Sequence, residues 1–324
     1  MQQHYLPKGA YLSFFEIPSK PDFIYFYQRG KPAIFVNTHK VAKEKHLYSF
    51  TDKEGNLNTN LEIALGEFEG EVKPLLAKLN GAREILEITL TERNRLMTFI
   101  SLQAVRTPTF RTTLKQTTAK LRQVVMQMYA SNKEVFTNLM KRAGKDKVVM
   151  DDISIDDLRE FILDETRYTM EAEGDYFLGQ QFQLQDSIFR AIVPKTPLLL
   201  RCEDERFITS DHPVLLISNP EVPKMYRGGF LMSDVLFPIG RNVSLVLKTE
   251  RHPEPITRAD QCFPIAVKWI SPNEVRQINK ITIGHAENYL FASENDENIQ
   301  TIFDETTRPT RFKIHNPFER HKND

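Results

Sequence analysis

The stretch Phe207-Ile-Thr-Ser-Asp-His-Pro-Val-Leu-Leu, residues 207–216, places a polar corner between two short apolar runs. Apolar runs of this length beside turn-forming residues are typical of buried strands. The corner, residues 209–213, brings a hydroxyl, a carboxylate and an imidazole to one turn. Two interpretations stay open: a site of chemistry, or a turn in which Ser210 and Asp211 bond the local backbone amides.

The chain around this corner is mainly β. Beyond Pro194, further apolar strands are predicted at residues 198–200, 214–217, 243–247 and 265–270. A capping box of Ser271 and Glu274 predicts a helix that runs to about residue 289. A closing strand is expected at residues 291–293.

The N-terminal part changes from strand to helix. Residues 23–28 and 33–36 flank Gly30, which is the pattern of a β-hairpin. A third short strand is expected around residues 47–50. From Asn60, apolar residues recur at helical spacing, in a helix that Pro74 should kink or break.

The middle of the chain is predicted to be helical. Thr89 and Glu92 form a capping box that opens a second helix, and Thr107-Pro108 ends it and starts a third. Further helices are expected from a box of Ser131 and Glu134, after Ser154, and over residues 176–191.

Strands and helices are therefore segregated along the chain, which predicts an α+β fold. We expect an N-terminal β-hairpin, a helical middle, and a C-terminal mixed or antiparallel sheet with a helix. These form one domain over residues 1–303, with a small sheet at 1–58, a helical region at 59–192 and a β-rich region at 193–303. Residues 304–324 are expected to be a polar tail.

The composition limits the classes of function. With 40% hydrophobic and 27% charged residues, the chain can bury a core. Its zero net charge argues against a protein that coats nucleic acid by charge alone. Cys202 and Cys262 suit a reducing cytosol. The first residues lack the basic and then apolar run of a signal peptide, and no apolar stretch approaches the roughly 18 residues of a membrane span. A cytoplasmic protein without membrane contact is predicted, and its oligomeric state stays open.

The common catalytic motifs are absent from the sequence. It contains no P-loop, no G-x-G-x-x-G after a strand, no H-E-x-x-H and no C-x-x-C. Nucleotide-driven and zinc chemistry of the usual kinds are therefore not expected.

Glu62 and Glu69 are the first candidate site residues. They are seven positions apart on a predicted helix and so project within about 20° of each other, beside its apolar stripe. Paired carboxylates at a core edge can act as acid and base, or hold a divalent cation together with Asp211. The alternative is a solvated helix flank.

Gln103 and Arg106 lie near the end of the second predicted helix. An arginine fixed at a helix end suits the binding of phosphate or carboxylate, so both residues are candidates for substrate binding. Arg106 could equally pair with Glu62 or Glu69 and brace the fold.

Within the polar corner, Asp211 is a candidate catalytic base or metal ligand, His212 a base near neutral pH, and Ser210 a substrate-binding residue. A Ser-His-Asp triad is poorly supported, because adjacent residues on a strand point to opposite sides.

Two further residues complete the set. His4 is either a catalytic base or a buried histidine that forms hydrogen bonds. Asn279 lies on the apolar face of the last predicted helix, where its amide either contacts substrate or ties the helix to a neighbouring backbone.

Charge is unevenly distributed. The stretch 106–147 contains ten Lys and Arg against two acidic residues, and the stretch 151–175 contains ten Asp and Glu against two arginines. The basic stretch could contact a nucleic-acid backbone. Alternatively, the two segments attract each other.

The motifs occur in an order that resembles a known family. They are Gln3-His4-Tyr5-Leu6-Pro7, the Glu62–Glu69 helix, Gln103-x-x-Arg106-Thr107-Pro108, Ile208-Thr209-Ser210-Asp211-His212-Pro213-Val214 and Phe237-Pro238. This pattern is similar to the mainly bacterial family known as domain of unknown function 4238, over about residues 3–293. Members more usually carry Asn at the position of His212. This difference argues against a mechanism that requires His212 and favours Asp211 as the functional residue of the corner. The resemblance implies a fold unit and a residue set, not a reaction.

Two hypotheses follow. In the first, His4, Glu62, Glu69, Arg106 and Asp211 converge on one pocket of a phosphodiester-acting enzyme, a nuclease-like effector in bacterial defence. In the second, the protein is a non-catalytic binding or regulatory protein, and the same residues pair with each other in a closed core.

Overall fold

The computed structural model describes residues 2–45, 47, 50–51, 57–143, 153–170, 176–218, 228–249 and 262–307. In chain order its strands are β1 (Gln2–His4), β2 (Phe23–Gln28), β3 (Lys31–Asn37), β4 (Lys43–Lys45), β5 (Phe50–Thr51), β6 (Leu57–Asn58), β7 (Leu86–Thr89), β8 (Thr196–Arg201), β9 (Thr209–Ser210), β10 (Leu215–Ser218), β11 (Ser233–Gly240), β12 (Val243–Lys248), β13 (Cys262–Trp269) and β14 (Tyr289–Ala292). Its α-helices are α1 (Asn60–Gly81), α2 (Leu90–Val105), α3 (Pro108–Ser131), α4 (Lys133–Ala143), α5 (Ile155–Leu163), α6 (Tyr176–Ile192), α7 (Gly229–Met232), α8 (Pro272–His285) and α9 (Glu297–Glu305). Short 3₁₀ helices cover Leu12–Phe15 and Thr38–Lys40.

The predicted α+β class is confirmed. The described residues group into two compact units, one within residues 1–111 and 178–309, the other within residues 112–177. The single domain over residues 1–303 stays a prediction.

The larger unit contains a six-stranded mixed sheet in the order β10-β11-β12-β8-β13-β7. Among the strand pairs that the structure describes in this sheet, β13 and β8 are parallel and the others are antiparallel. The sequence did not predict β11, although every residue from Ser233 to Gly240 is buried. A strand buried on both faces lacks the alternation that identifies a half-buried strand.

A four-stranded sheet, in the order β3-β2-β14-β9, joins the two ends of the unit. The predicted hairpin forms, with Gly30 at φ 69° in its turn. Its strand β2 pairs with β14, and β14 pairs with β9, where Leu290 faces Ser210. This pairing brings the polar corner beside the N-terminal region.

The main core contains Tyr11, whose ring is stacked on Phe237 with centroids 5.1 Å apart. Its hydroxyl is 2.6 Å from Thr209 Oγ1 and donates to the carbonyl of Pro238 at 2.7 Å. Since these partners lie on β9 and β11, one buried hydroxyl links both sheets to the N-terminal segment.

The helix boundaries follow their predicted caps in most places. The capping boxes at Thr89 and Ser271 form, Ser154 caps α5, and α2 ends before Thr107-Pro108. Each side chain satisfies a backbone N–H that the helix leaves without a partner.

Several local predictions are wrong. Pro74 does not break α1, which is continuous over Asn60–Gly81, while the kink stays a prediction. Asn132, rather than Ser131, accepts the amide at the start of α4, while Ser131 Oγ donates to Met128 O. The last predicted helix ends at His285 instead of about 289, and α9 extends into the predicted polar tail.

Strand boundaries also shift. β9 comprises Thr209–Ser210 rather than residues 207–208, and β14 begins at Tyr289. The strand expected around residues 47–50 lies partly outside the described residues, and the tail beyond residue 307 lies wholly outside them.

The smaller unit packs α3, α4 and α5 around Ala130, Phe136 and Ile162. Lys120 pairs with Glu165 at 3.1 Å and Lys133 with Asp156 at 2.9 Å. These contacts fit the interpretation that the basic and acidic stretches attract each other.

Among the helices that the structure describes, none combines the length and the apolar character that a membrane span requires.

Replacing Tyr11 by Phe should lower the free energy of unfolding by about 1–3 kcal/mol, because the carbonyl of Pro238 and the hydroxyl of Thr209 lose a buried partner. Tyr129→Phe is the control, since this tyrosine is exposed and should change stability by less than about 0.5 kcal/mol. Urea unfolding followed by circular dichroism measures both. Equal effects of the two variants would contradict the role of the Tyr11 hydroxyl.

Candidate functional site

The polar corner is a hydrogen-bonded turn. Ser210 Oγ donates to the carbonyl of His212 at 2.9 Å and accepts the amide of the same residue at 3.1 Å. The Ser210 hydroxyl therefore both donates and accepts a hydrogen bond within the turn. This agrees with the alternative interpretation of Ser210, in which its side chain bonds the local backbone instead of a substrate. Ser210 shapes the corner that carries Asp211.

Asp211 anchors the turn that connects α8 to β14. One carboxylate oxygen accepts the amide of Glu287 at 3.0 Å, and the other accepts the amides of Asn288 at 2.8 Å and Tyr289 at 3.2 Å. The residue is only 3% exposed. Burial raises the pKa of Asp211 to about 6, although the three amide hydrogen bonds lower it in part.

The same residue lines a pocket of about 350 Å³. The wall combines rings and aliphatic side chains with charged groups. Its residues are Tyr5, Phe26, Ile34, Val36, Lys40, Val41, Ala42, Lys43, Glu44, Pro108, Asp211, Asn288 and Tyr289. A concave site that mixes apolar walls with a few polar groups is the usual form of a small-molecule site.

Arg106 lies at the end of α2 and is 4% exposed. Its Nη1 is 2.6 Å from Glu69 Oε1, and its Nη2 donates to the carbonyl of His4 at 3.1 Å. Arg106 therefore braces α1, α2 and the N-terminal strand, which is the structural alternative that the sequence left open.

Glu62 belongs to the same group. Burial raises the pKa of Glu62, the charge of Arg106 lowers it, and the charge of Glu69 raises it further. The charge of one guanidinium thus acts on both carboxylates, which the spacing on α1 places on one side of the helix.

The Arg106 group and the pocket are joined through adjacent residues. Thr107 follows Arg106, and its Oγ1 lies 3.5 Å from Nδ1 of His212, the neighbour of Asp211. On the other side, Tyr5 follows His4, lines the pocket, and has its pKa raised well above the usual range by burial and by the charge of Asp211. Residues from four distant parts of the sequence therefore meet here.

The surroundings of His4 and His212 favour the neutral imidazole. Burial lowers the pKa of His212 to about 4. Burial also lowers the pKa of His4, and the charges of Lys43, His39 and Lys8 lower it further. Neither ring lines the pocket.

Several buried polar atoms of this region have no hydrogen-bonding partner within the described chain: Gln103 Oε1 and Nε2, His4 Nε2 and Glu62 Oε2. Gln103 is 0% exposed. Buried polar groups normally bond to protein or to ordered water. These atoms form a buried polar region near Arg106. Gln103 belongs to this region and does not line the pocket.

The predicted cation site of Glu62, Glu69 and Asp211 does not form. Across the residues that the structure describes, no group of three His, Cys, Asp or Glu side chains is placed to hold a metal ion. Glu69 is paired with Arg106, and Asp211 is held by backbone amides instead. From the sequence alone, carboxylates that pair with an arginine cannot be distinguished from carboxylates that bind a metal ion.

Asn279 lies apart from the pocket and ties α8 to the strand region. Its Oδ1 accepts the amide of Ile208 at 3.1 Å, and its Nδ2 donates to the carbonyl of Arg206 at 2.8 Å. Both ends of the amide are occupied, as the structural interpretation of this residue expected.

Sequence reasoning missed several residues of the pocket, namely Lys40, Lys43, Asn288 and Tyr289. They come from β4, from the 3₁₀ helix before it, and from the end of the α8–β14 turn. Tyr5 and Pro108, which also line the pocket, had a signal, because they stand in the motifs that contain His4 and Arg106.

Arg106→Ala should destabilise the protein by about 3 kcal/mol, because it leaves Glu62 and Glu69 facing each other without the buried counter-charge. Arg95→Ala is a matched control, since Arg95 pairs with Glu71 across the same two helices but is exposed to solvent. That variant should lose less than about 1 kcal/mol. Denaturant unfolding measures both, and equal losses would contradict the bracing role of Arg106.

The comparisons with known proteins agree with the motif order. A family model described as protein of unknown function (DUF4238) matches residues 2–296. Searches of curated proteins and of solved structures gave no match. The match spans nearly every described element of the larger unit and confirms the resemblance seen in the sequence motifs. The chain therefore belongs to the family of proteins of unknown function DUF4238.

Proposed function

We propose that this protein is an enzyme that acts on a phosphodiester bound in the pocket at Asp211. One observation carries the proposal: the pocket contains a buried carboxylate whose pKa is about 6, together with Lys40 and Lys43. A carboxylate that titrates near neutral pH is suited to accept a proton. Ammonium groups are common ligands of phosphate oxygens.

In this proposal the reaction is hydrolysis. Asp211 accepts a proton from the attacking water while the oxygen of that water bonds to phosphorus and the bond to the leaving oxygen breaks. Lys43 stabilises the negative charge on the phosphate. The leaving oxygen departs with the electron pair of the broken bond, and Tyr5, whose pKa is held well above its usual range, stays protonated and donates a hydrogen bond to that oxygen.

Arg106 has a different role from the phosphate ligand that the sequence suggested. Because Glu69 and the carbonyl of His4 already engage its guanidinium, it acts as a positioning residue that fixes the segment from His4 to Tyr5. A nuclease-like role in bacterial defence, with nucleic acid along the basic stretch 106–147, belongs to the same proposal. Four of these basic residues pair with acidic groups, so the pocket supports it better than the stretch does.

A specific observation favours a second candidate, a non-catalytic binding protein. Both oxygens of Asp211 are occupied by the backbone amides of residues 287–289, as a purely structural carboxylate requires. Under this alternative the pocket binds a ligand without turnover, and Asp211 only shapes its wall.

The pH dependence of hydrolysis tests the role of Asp211. With bis(4-nitrophenyl) phosphate as substrate, kcat/KM should rise as the pH increases through about 6, because the carboxyl group accepts a proton only when it is ionised. The rate at pH 5 should be about tenfold lower than the plateau, since each pH unit below the pKa removes a factor of ten of the ionised form. A rate that is flat between pH 5 and 8 would exclude Asp211 as the base.

Asp211→Asn should reduce kcat by about 10²–10⁴-fold, the usual contribution of a general base. His212→Asn is the matched control, because it changes a half-buried residue of the same corner that does not line the pocket. Thermal melts of both variants measure folding separately. If the wild-type protein has no turnover and Asp211→Asn only lowers the melting temperature, the non-catalytic candidate is correct.

A further inference from the structure

The pocket has two chemically distinct parts. Phe26 and Ile34, on the paired strands β2 and β3, contribute an apolar wall, and Tyr289 of β14 continues it. The rings of Phe26 and Tyr289 are stacked, with centroids 5.0 Å apart and planes 30° from parallel. The charged part comprises Lys40, Lys43, Glu44 and Asp211.

We propose that the ligand of this pocket is a single nucleotide unit, with its base against the aromatic wall and its phosphate at the two lysines. The inference rests on the proposed function and adds the substrate class. A flat aromatic base gains contact area from such rings, and stacking of this kind is tolerant of base identity. The lysines distinguish this ligand from an uncharged apolar metabolite.

The dimensions of the pocket support one nucleotide unit. A volume of about 350 Å³ is near the lower end of the range for small-molecule sites. It has room for one base, one sugar and one phosphate, whereas a base inside a duplex is covered by its neighbours and cannot reach the wall. The substrate is therefore a small nucleotide or the end of a single strand.

Polar groups at the pocket can contact the edge of the base. Asn288, which is half-buried, carries an amide with both a donor and an acceptor, and Glu44 carries a carboxylate. The Asn288 backbone amide is held by Asp211, so the same interaction fixes the catalytic carboxylate and the residue next to the base. Recognition and chemistry thus share one turn.

Isothermal titration calorimetry with nucleoside 5′-monophosphates, ribose 5-phosphate and a short duplex tests this inference. The monophosphates should bind at least about tenfold more tightly than ribose 5-phosphate, since base stacking supplies the difference. The duplex should bind more weakly than the monophosphates. Equal binding of monophosphates and ribose 5-phosphate, or tighter binding of the duplex, would overturn the inference.

Variants separate the two parts of the pocket. Tyr289→Leu should reduce nucleotide affinity about tenfold and leave ribose 5-phosphate binding unchanged, because only the base contacts the ring. Phe35→Leu is the matched control, since Phe35 is an exposed aromatic residue of the same sheet that does not line the pocket. Lys43→Ala should weaken both ligands by the same factor.

The outcomes also distinguish this inference from the proposed function. Hydrolysis of bis(4-nitrophenyl) phosphate with no preference for nucleotides keeps the proposed function and rejects the nucleotide. Nucleotide binding that Tyr289→Leu weakens, without any hydrolysis, keeps the nucleotide and rejects the enzyme. If Tyr289→Leu lowers the melting temperature, Phe26→Leu provides the same comparison from the other ring.

Discussion

The three hydrogen bonds from the amides of residues 287–289 to Asp211 are the constraint on which the pocket depends. They connect the corner after β9 to the turn between α8 and β14, and β14 then pairs with the N-terminal hairpin. Burying a carboxylate is costly unless it is well bonded, and here burial still raises its pKa to about 6. The same bonds that satisfy the charge place it in the wall of the pocket.

The arginine group next to the pocket shows how local pairing decides chemistry. Arg106 could have bound a phosphate or a carboxylate of the protein, and Glu69 takes that position at 2.6 Å. A buried guanidinium that bonds a carboxylate and a backbone carbonyl braces the fold. Removing the guanidinium or the carboxylate leaves the other charge buried without compensation. The lysines of the pocket, which are more accessible, are better placed for an anionic ligand.

Much of the fold could be predicted because its signals are local. The capping boxes at Thr89 and Ser271 and the break at Thr107-Pro108 depend on side chains within a few residues, so the sequence alone identifies them. The break expected at Pro74 does not occur, because α1 remains helical through it. Strand β11 was missed because uniform burial removes the periodic pattern on which strand prediction relies.

The sequence by itself determined the α+β class and the order of most elements, and it identified Asp211, Arg106 and Glu69 as candidate site residues. It could not determine their partners, because a carboxylate has the same pattern in the sequence whether it binds a metal, an arginine or backbone amides. Only the tertiary structure decided that Glu69 pairs with Arg106 and that Asp211 accepts three amides. It also added Lys43 and Tyr289 to the pocket, since strand pairing between distant segments alone brings these residues together.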